Sequence, residues 1–367
     1  MNIKKIRSAL CTALCTAFLL PICTGVLAEE QPRRAPVSDD SHIVLTFVGD
    51  CSIGDNQAAT ELENSYTQTV KREGWAYPFS LIDHYLKEDD LTFANLEAVL
   101  TTQRRLYNKS KRYNLIAAPE HVNILLEGSI EVVNTVNNHC QDFGQPGYED
   151  ALQVLDEAGI GHFGTFAKSD VLWTGEVKGI RIGAVGYSYP QDYDIRNCLK
   201  RIKKLRDEGC DLVIVSMHWG REENHKPIGE QFSFAKKLID GGADLIWGHH
   251  THVTQPVMFY KGKPVMFSTG NFTFGSMSQV DPATGIFQLE YTVDKGKPVL
   301  DMLRVVPCET GVHGDYRPFE LKDEEARRKC LKILIGSSKS SGFVRLPDSF
   351  AETGIVYIDK DGSFIEN

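Results

Sequence analysis

The chain has 367 residues, with 40 Lys and Arg against 49 Asp and Glu, a net charge of −9 with histidine neutral. That balance argues against nucleic acid as a partner, because a phosphate backbone demands a basic face. An anionic ligand would need local positive charge, which a bound metal supplies.

The chain opens with Lys4, Lys5 and Arg7, an apolar run from Ala9 to Leu20, and Val26-Leu27-Ala28. A basic head, a short apolar core and a small final residue predict a secretory signal peptide over 1–28, cleaved after Ala28. The run is shorter than the roughly 20 residues of a membrane-spanning helix; an uncleaved membrane anchor is the alternative. Cys23 lacks the small preceding residue of a lipoprotein site, since Leu20-Pro21-Ile22 stand before it. Cleavage removes three basic and no acidic residues, leaving 37 against 49, or −12. The expected location is therefore exported: periplasmic, cell-surface or extracellular. Six cysteines remain (Cys51, Cys140, Cys198, Cys210, Cys308, Cys330), and export permits disulfides without this domain requiring them. Cys51 and Cys140 each adjoin a candidate site residue, so a bridge between them is one expectation.

Residues 29–42 are polar and proline-containing, a linker. Strand-like runs follow at Ile43–Val48, Leu91–Ala94, Val132–Val136, Ile182–Tyr187, Leu212–Met217 and Leu245–Trp247. Helical patterns lie between them near Tyr77–Lys87, Pro119–Leu126, Gly147–Ala158, Ile195–Glu208 and Glu230–Asp240. This alternation predicts a layered α/β domain over 43–306. Lys261-Gly262-Lys263 and Asp294-Lys295-Gly296-Lys297 sit between apolar runs and predict hairpins. Residues 307–367 read as a small appendix: a helix near Asp323–Ile335, a polar loop Gly336–Gly342 and a hairpin around Asp361-Gly362.

The chemistry collects at the ends of the apolar runs. Gly49-Asp50, Asn95-Leu96-Glu97, Asn137-Asn138-His139 with Asp142 and Gly144, His218-Trp219-Gly220, Gly248-His249-His250-Thr251-His252 and Gly270-Asn271-Phe272 each follow one. Six such ends read as one rim of a sheet, where open α/β sheets place ligands. On an extended segment His250 and His252 point the same way, and paired neutral imidazoles suit a metal. Carboxylates, an amide oxygen and imidazoles form the mixed ligand set for Zn, Mn or Fe, and two such ions would activate water without a Ser or Cys nucleophile. Each residue has a plainer reading. Asp50 is a possible cap, Glu97 a surface charge, and Asn137 a turn former beside a coordinating Asn138. His218 is a possible buried core histidine, and His249 a support for its neighbours. His139 is too polar in context for the core and reads as a catalytic donor. His42, His84, His121, His162, His225 and His313 read as structural or exposed.

In this order the motifs resemble the bacterial capsule-synthesis CapA (PgsA) family, associated with making or exporting poly-γ-glutamate, over roughly 43–306. That family is similar to the calcineurin-like metallophosphoesterases. The resemblance implies a four-layer αββα sandwich of two mixed sheets holding one or two divalent ions. It implies Asp50 and His252 on one metal, Asn138, His218 and His250 on the other, and Glu97 bridging. His139 would be the general acid, and Asn95, Asn137, Asp142, His249 and Asn271 would support these residues or contact substrate. Two departures stand out. Ser52 occupies a position where the wider superfamily has His, so the first metal site loses an imidazole. Asp55 stands where many members have Arg. The implied activity is hydrolysis of an anionic polymer or phosphoester, and a membrane-bound polymer synthase complex is left open as a partner. The competing readings are a non-catalytic metal-binding accessory of polymer synthesis or export, and a metal-free solute-binding protein.

Overall fold

Strands buried at nearly every position build two sheets that share a core. In a computed structural model the described residues are 41–365, without 167–168, 191–193, 276–280, 312–313 and 338–341. The expected signal peptide, nearly all of the linker, and His313 lie outside them. The first sheet runs in the order Lys297–Glu309, Ala283–Asp294, His42–Ser52, Leu91–Leu96, Val132–Asn134, Gly161–Phe166. The second runs Val257–Tyr260, Lys263–Met266, Leu245–His249, Leu212–His218, Ile180–Ser188, Trp173–Val177. His42–Ser52 pairs in parallel with Leu91–Leu96, and that strand with Val132–Asn134. Ile180–Ser188, Leu212–His218 and Leu245–His249 are likewise parallel. Their carboxyl ends therefore share an edge within each sheet.

The near-continuous apolar runs are strands buried on both faces. Leu45, Phe47 and Phe93 of the first sheet share a core with Leu212, Ile214, Leu245 and Trp247 of the second. Phe47 and Trp247 meet edge to face with centroids 5.5 Å apart. The alternate residues face outward. Val48, Ala94 and Val133 pack with Tyr66, Val70, Ile124 and Leu155. Val213, Val215 and Ile246 pack with Ile202, Leu205, Ala235 and Leu238. Helices thus cover the outer face of each sheet.

Several expectations shift. The Tyr77–Lys87 helix is a 3-10 turn, Tyr77–Phe79, with Pro78 in its first turn, and a short helix, Asp83–Lys87, the two separated where Ile82 leaves helical geometry with φ −136° and ψ 4°. A helix at Tyr66–Glu73 was not expected. It is capped by Ser65, whose side chain accepts from Gln68 N, and it buries only Tyr66, Thr69 and Val70. The supposed appendix is woven into both sheets: Phe319–Glu320 and Ile355–Ile358 pair with Lys297–Glu309, and Val344–Arg345 with Val257–Tyr260. Its helix, Glu324–Ile335, puts Leu331, Leu334 and Ile335 into the core between the sheets. Strands of two residues carry too little alternation to be read beforehand. The Cys51–Cys140 bridge is not formed. Both are buried and neither is in a disulfide, and Cys51 donates to Gly49 O at 3.6 Å.

The first strand shifts register between Phe47 and Asp50 on one side and between Asp50 and Cys51 on the other. Such irregularities re-aim a side chain. Gly49 sits inside the shift, and a Cβ there would lie 2.0 Å from Gly270 O. Gly49→Ala should therefore cost about 1–3 kcal/mol, read as a lowered Tm of the metal-free protein. An unchanged Tm would show that this backbone approach is looser than described.

Candidate metal centre

Asp50 is fully buried, held by two hydrogen bonds and flanked by two imidazoles. Asn95 Nδ2 donates to Asp50 Oδ1 at 2.8 Å, and the backbone N of His250 donates to Oδ2 at 3.2 Å. His249 Nδ1 lies 3.0 Å from Oδ1, and His252 Nδ1 lies 3.8 Å from Oδ2. Burial pulls the Asp50 pKa upward, but the His249 and His252 imidazoles and the Asn95 amide outweigh it, leaving the carboxyl below its usual range.

Glu97 differs. It follows the Leu91–Leu96 strand, its N–H donates to Cys51 O at 2.9 Å, and its side chain is 0% exposed. Neither carboxylate oxygen has a hydrogen-bond partner. His218 Nε2 lies 3.8 Å and His139 Nε2 4.0 Å from Oε1. Burial first, then the Asp50 and Glu222 charges, drives this carboxyl well above its ordinary range. Asp50, Glu97 and His218 bring their ligand atoms within 4.8 Å of one another.

The imidazoles arrive from the second sheet. His218 ends the Leu212–His218 strand opposite His249 in register. Its Nε2 lies 2.8 Å from Asn138 Oδ1, and its Nδ1 is buried without a partner. Burial, then the neighbouring His250 and His249, holds its pKa well below 6.5. His250 is also lowered, by burial and by His252, and its Nδ1 is unpartnered. The expectation that His250 and His252 converge through extended alternation is corrected. The strand stops at His249, and the two residues have φ of 89° and 58°. This left-handed turn, costly for residues with a Cβ, brings the His218 and His250 ring centroids to 4.7 Å. Asn271 Oδ1 lies 2.9 Å from His252 Nδ1.

His139 is held apart from this set. Its Nδ1 lies 2.6 Å from Asp142 Oδ2, its N donates to Asn137 Oδ1 at 3.0 Å, and Asn137 Nδ2 ties back to Leu96 O at 2.8 Å. Burial lowers its pKa despite Asp142. Every site residue expected from sequence therefore lies in this one cluster, in contact or held by a contact. Ser52 turns away, its Oγ 3.4 Å from Gly54 O. Asp55 is buried at the start of the Tyr66–Glu73 helix, where it accepts from Tyr66 N at 2.9 Å and Thr67 N at 2.8 Å. The remaining described histidines are engaged elsewhere: His42 with Glu290, His84 with Tyr85, His121 with Ile53 O, His162 with Asp156 and His225 with Asp281.

Three neighbours carried no sequence signal. Lys111 Nζ donates to Asn138 O at 2.8 Å and pairs with Asp142. Asn134 Nδ2 donates to Asn95 Oδ1 at 2.7 Å, steadying the residue that holds Asp50. Glu222 acts on Glu97 and His250 by charge alone.

Residues 44–276 match the sequence model of the family described as bacterial capsule synthesis protein PGA_cap. The chain belongs to this family. It is similar to the capsule biosynthesis protein CapA of Bacillus anthracis, 30% identical over 78% of this chain and 74% of the relative. It is also similar to the PGA biosynthesis protein CapA of Bacillus subtilis (strain 168), 29% identical over 74% and 73%. Among solved structures, the NAD nucleotidase NadN of Haemophilus influenzae is a distant likeness: TM-score 0.43, 13% identity, covering 79% of this chain and 55% of that one. The family match spans every strand-end motif of the cluster.

The unpartnered Glu97 carboxylate makes a prediction for the metal-free protein. Its folded pKa is raised above the ordinary 4.5. The unfolded chain therefore loses that proton first, and Glu97 subtracts stability as pH climbs from about 4.5 toward the folded pKa. Glu97→Gln should raise Tm in chelator near neutral pH, with the gain shrinking as pH falls below about 4.5. A gain independent of pH would show that Glu97 is not held protonated.

Proposed function

We propose that the cluster is a divalent-metal centre of an exported hydrolase that acts on a phosphoester or an anionic polymer in capsule biosynthesis. One observation carries the reading: Glu97 keeps two buried, unpartnered oxygens beside Asp50 and His218. A buried carboxylate in this state needs a cation or a proton. The donor set of carboxylates, an amide oxygen and neutral imidazoles suits a borderline divalent ion. The low His218 and His250 pKa values keep those rings neutral and ready to coordinate. Asp50, Glu97, Asn138, His218, His250 and His252 would hold the metal, as Mn, Zn or Fe.

When bound, the ion supplies Lewis acidity and lowers the pKa of water. The chain's own residues supply the rest. Asp142 holds His139 Nδ1, so Nε2 faces Glu97. Burial makes a proton accepted at Nε2 readily released to a leaving oxygen. Asn95 and His249 fix Asp50, and Asn271 fixes His252. The two sheets with helices on their outer faces suit the αββα layering expected of calcineurin-like phosphoesterases. Export is supported by the basic and apolar opening residues, and the place in capsule polymer synthesis by the relatives' names.

A second reading, a metal-binding accessory without turnover, is favoured by Ser52, which brings no imidazole to the Asp50 side. Two measurements separate them. Mass spectrometry of chelator-free protein should find one or two divalent ions in the wild type and a loss in His250→Ala; no metal after reloading would end both readings. His139→Ala should keep its metal and lose roughly 10²–10⁴-fold in turnover of a chromogenic phosphodiester. Unchanged turnover, or none in the wild type, would favour the accessory.

A further inference from the structure

Between Glu97 and Glu120 the chain carries Arg104, Arg105, Lys109, Lys111 and Arg112 and no acidic residue. On a protein with a net charge of −9 this is a local reversal of sign. Most surface cations elsewhere sit on a carboxylate: Lys87 on Asp83, Lys203 on Asp207, Lys261 on Asp240, Lys297 on Asp211. Arg105, Lys109 and Arg112 are exposed and have no ion-pair partner among the described residues. Arg112 lies over the Tyr113 ring at 5.1 Å, and Leu106, Tyr107 and Tyr113 are exposed by 45%, 39% and 46%.

The segment is built, and it is fastened to the site. Asn114 Nδ2 donates to Asn108 O at 3.1 Å and Lys111 O at 3.3 Å, while Asn108 N donates to Asn114 Oδ1 at 2.8 Å. Asn108 N also donates to Asp142 O at 2.7 Å, and Leu115 N to Asp142 Oδ2 at 2.7 Å. Lys111 reaches Asn138 O. The segment that bears the unpaired cations is therefore anchored, through Asn108, Lys111 and Leu115, to the motif that carries Asn138 and His139.

We propose that Arg104–Tyr113 is the docking surface for an extended chain of closely spaced carboxylates, leading it to the strand-end site. This rests on reading that site as one for an anionic polymer. A thin, flexible polyanion fits one short basic segment on an acidic molecule. A nucleic acid duplex would have to lie across the acidic surface around it. The exposed tyrosines and Leu106 offer apolar contact to the methylenes between carboxylates.

The test is binding of end-labelled polyglutamate to the full chain, wild type against Arg105→Ser/Lys109→Ser/Arg112→Ser, with bound metal and Tm measured on both. Affinity should fall roughly tenfold in the variant, with a shallower salt dependence, while metal content and Tm stay those of the wild type. Lys109→Glu alone should weaken binding in the same direction. Equal affinity of variant and wild type would overturn the proposal. So would single-stranded DNA bound as tightly as polyglutamate. Failure of the metal-hydrolase reading would instead appear as absent metal or turnover in the wild type, and leaves this binding readout intact.

Discussion

The strand-end site is organised around a carboxylate kept out of water with nothing to hold. Removing one ionised carboxylate from water without a partner costs several kcal/mol, and Glu97 has no partner for either oxygen. The fold does not relieve this from within. Asp50 is close but carries the same sign, and its own hydrogen bonds come from Asn95 and His250. His218 and His139 stand 3.8 and 4.0 Å from Oε1, beyond hydrogen-bond length. The surrounding packing, from Phe47 and Trp247 inward, holds the pieces at this unfavourable separation. Such an arrangement is stable without a cation only if Glu97 is protonated, and it is relieved outright by a positive ion.

A cation placed here would draw on both sheets, because neither one supplies the whole proposed donor set. The first delivers the oxygens of Asp50, Glu97 and Asn138, and the second delivers the nitrogens of His218, His250 and His252. The shared apolar core fixes their separation, so specificity of the centre depends on residues that carry no chemistry. The register shifts at Asp50 and the left-handed turn at His250 and His252 are the local distortions through which regular strands present irregular geometry.

Much of this was legible because a parallel strand ends where its side chains must meet water or a ligand. Runs such as Leu212–Met217 and Leu245–Trp247 mark themselves by apolarity, and the polar residue after each names the rim. Burial on both faces made the runs conspicuous while hiding which face met which sheet. The His250–His252 geometry was misread because alternation assumes an extended chain, and φ leaves no trace in composition. Lys111 escaped notice because its partner Asp142 is 31 residues away and surface lysines are common. The Tyr66–Glu73 helix hid behind a polar sequence with only three buried residues, and the two-residue strands of the C-terminal part lack a period to read.

The division of donors between the sheets has a mechanical consequence. A cation seated among Asp50, Glu97 and His218 would be a rivet driven through the seam at its open end, where the apolar core gives way to the polar rim. The opposite end of the seam is closed without a metal, by hydrophobic packing and by ion pairs such as Lys178 with Asp90 and Lys297 with Asp211. Loss of the ion would loosen one edge of the sandwich and leave the other shut. The supply of metal would then set how long the molecule resists proteases.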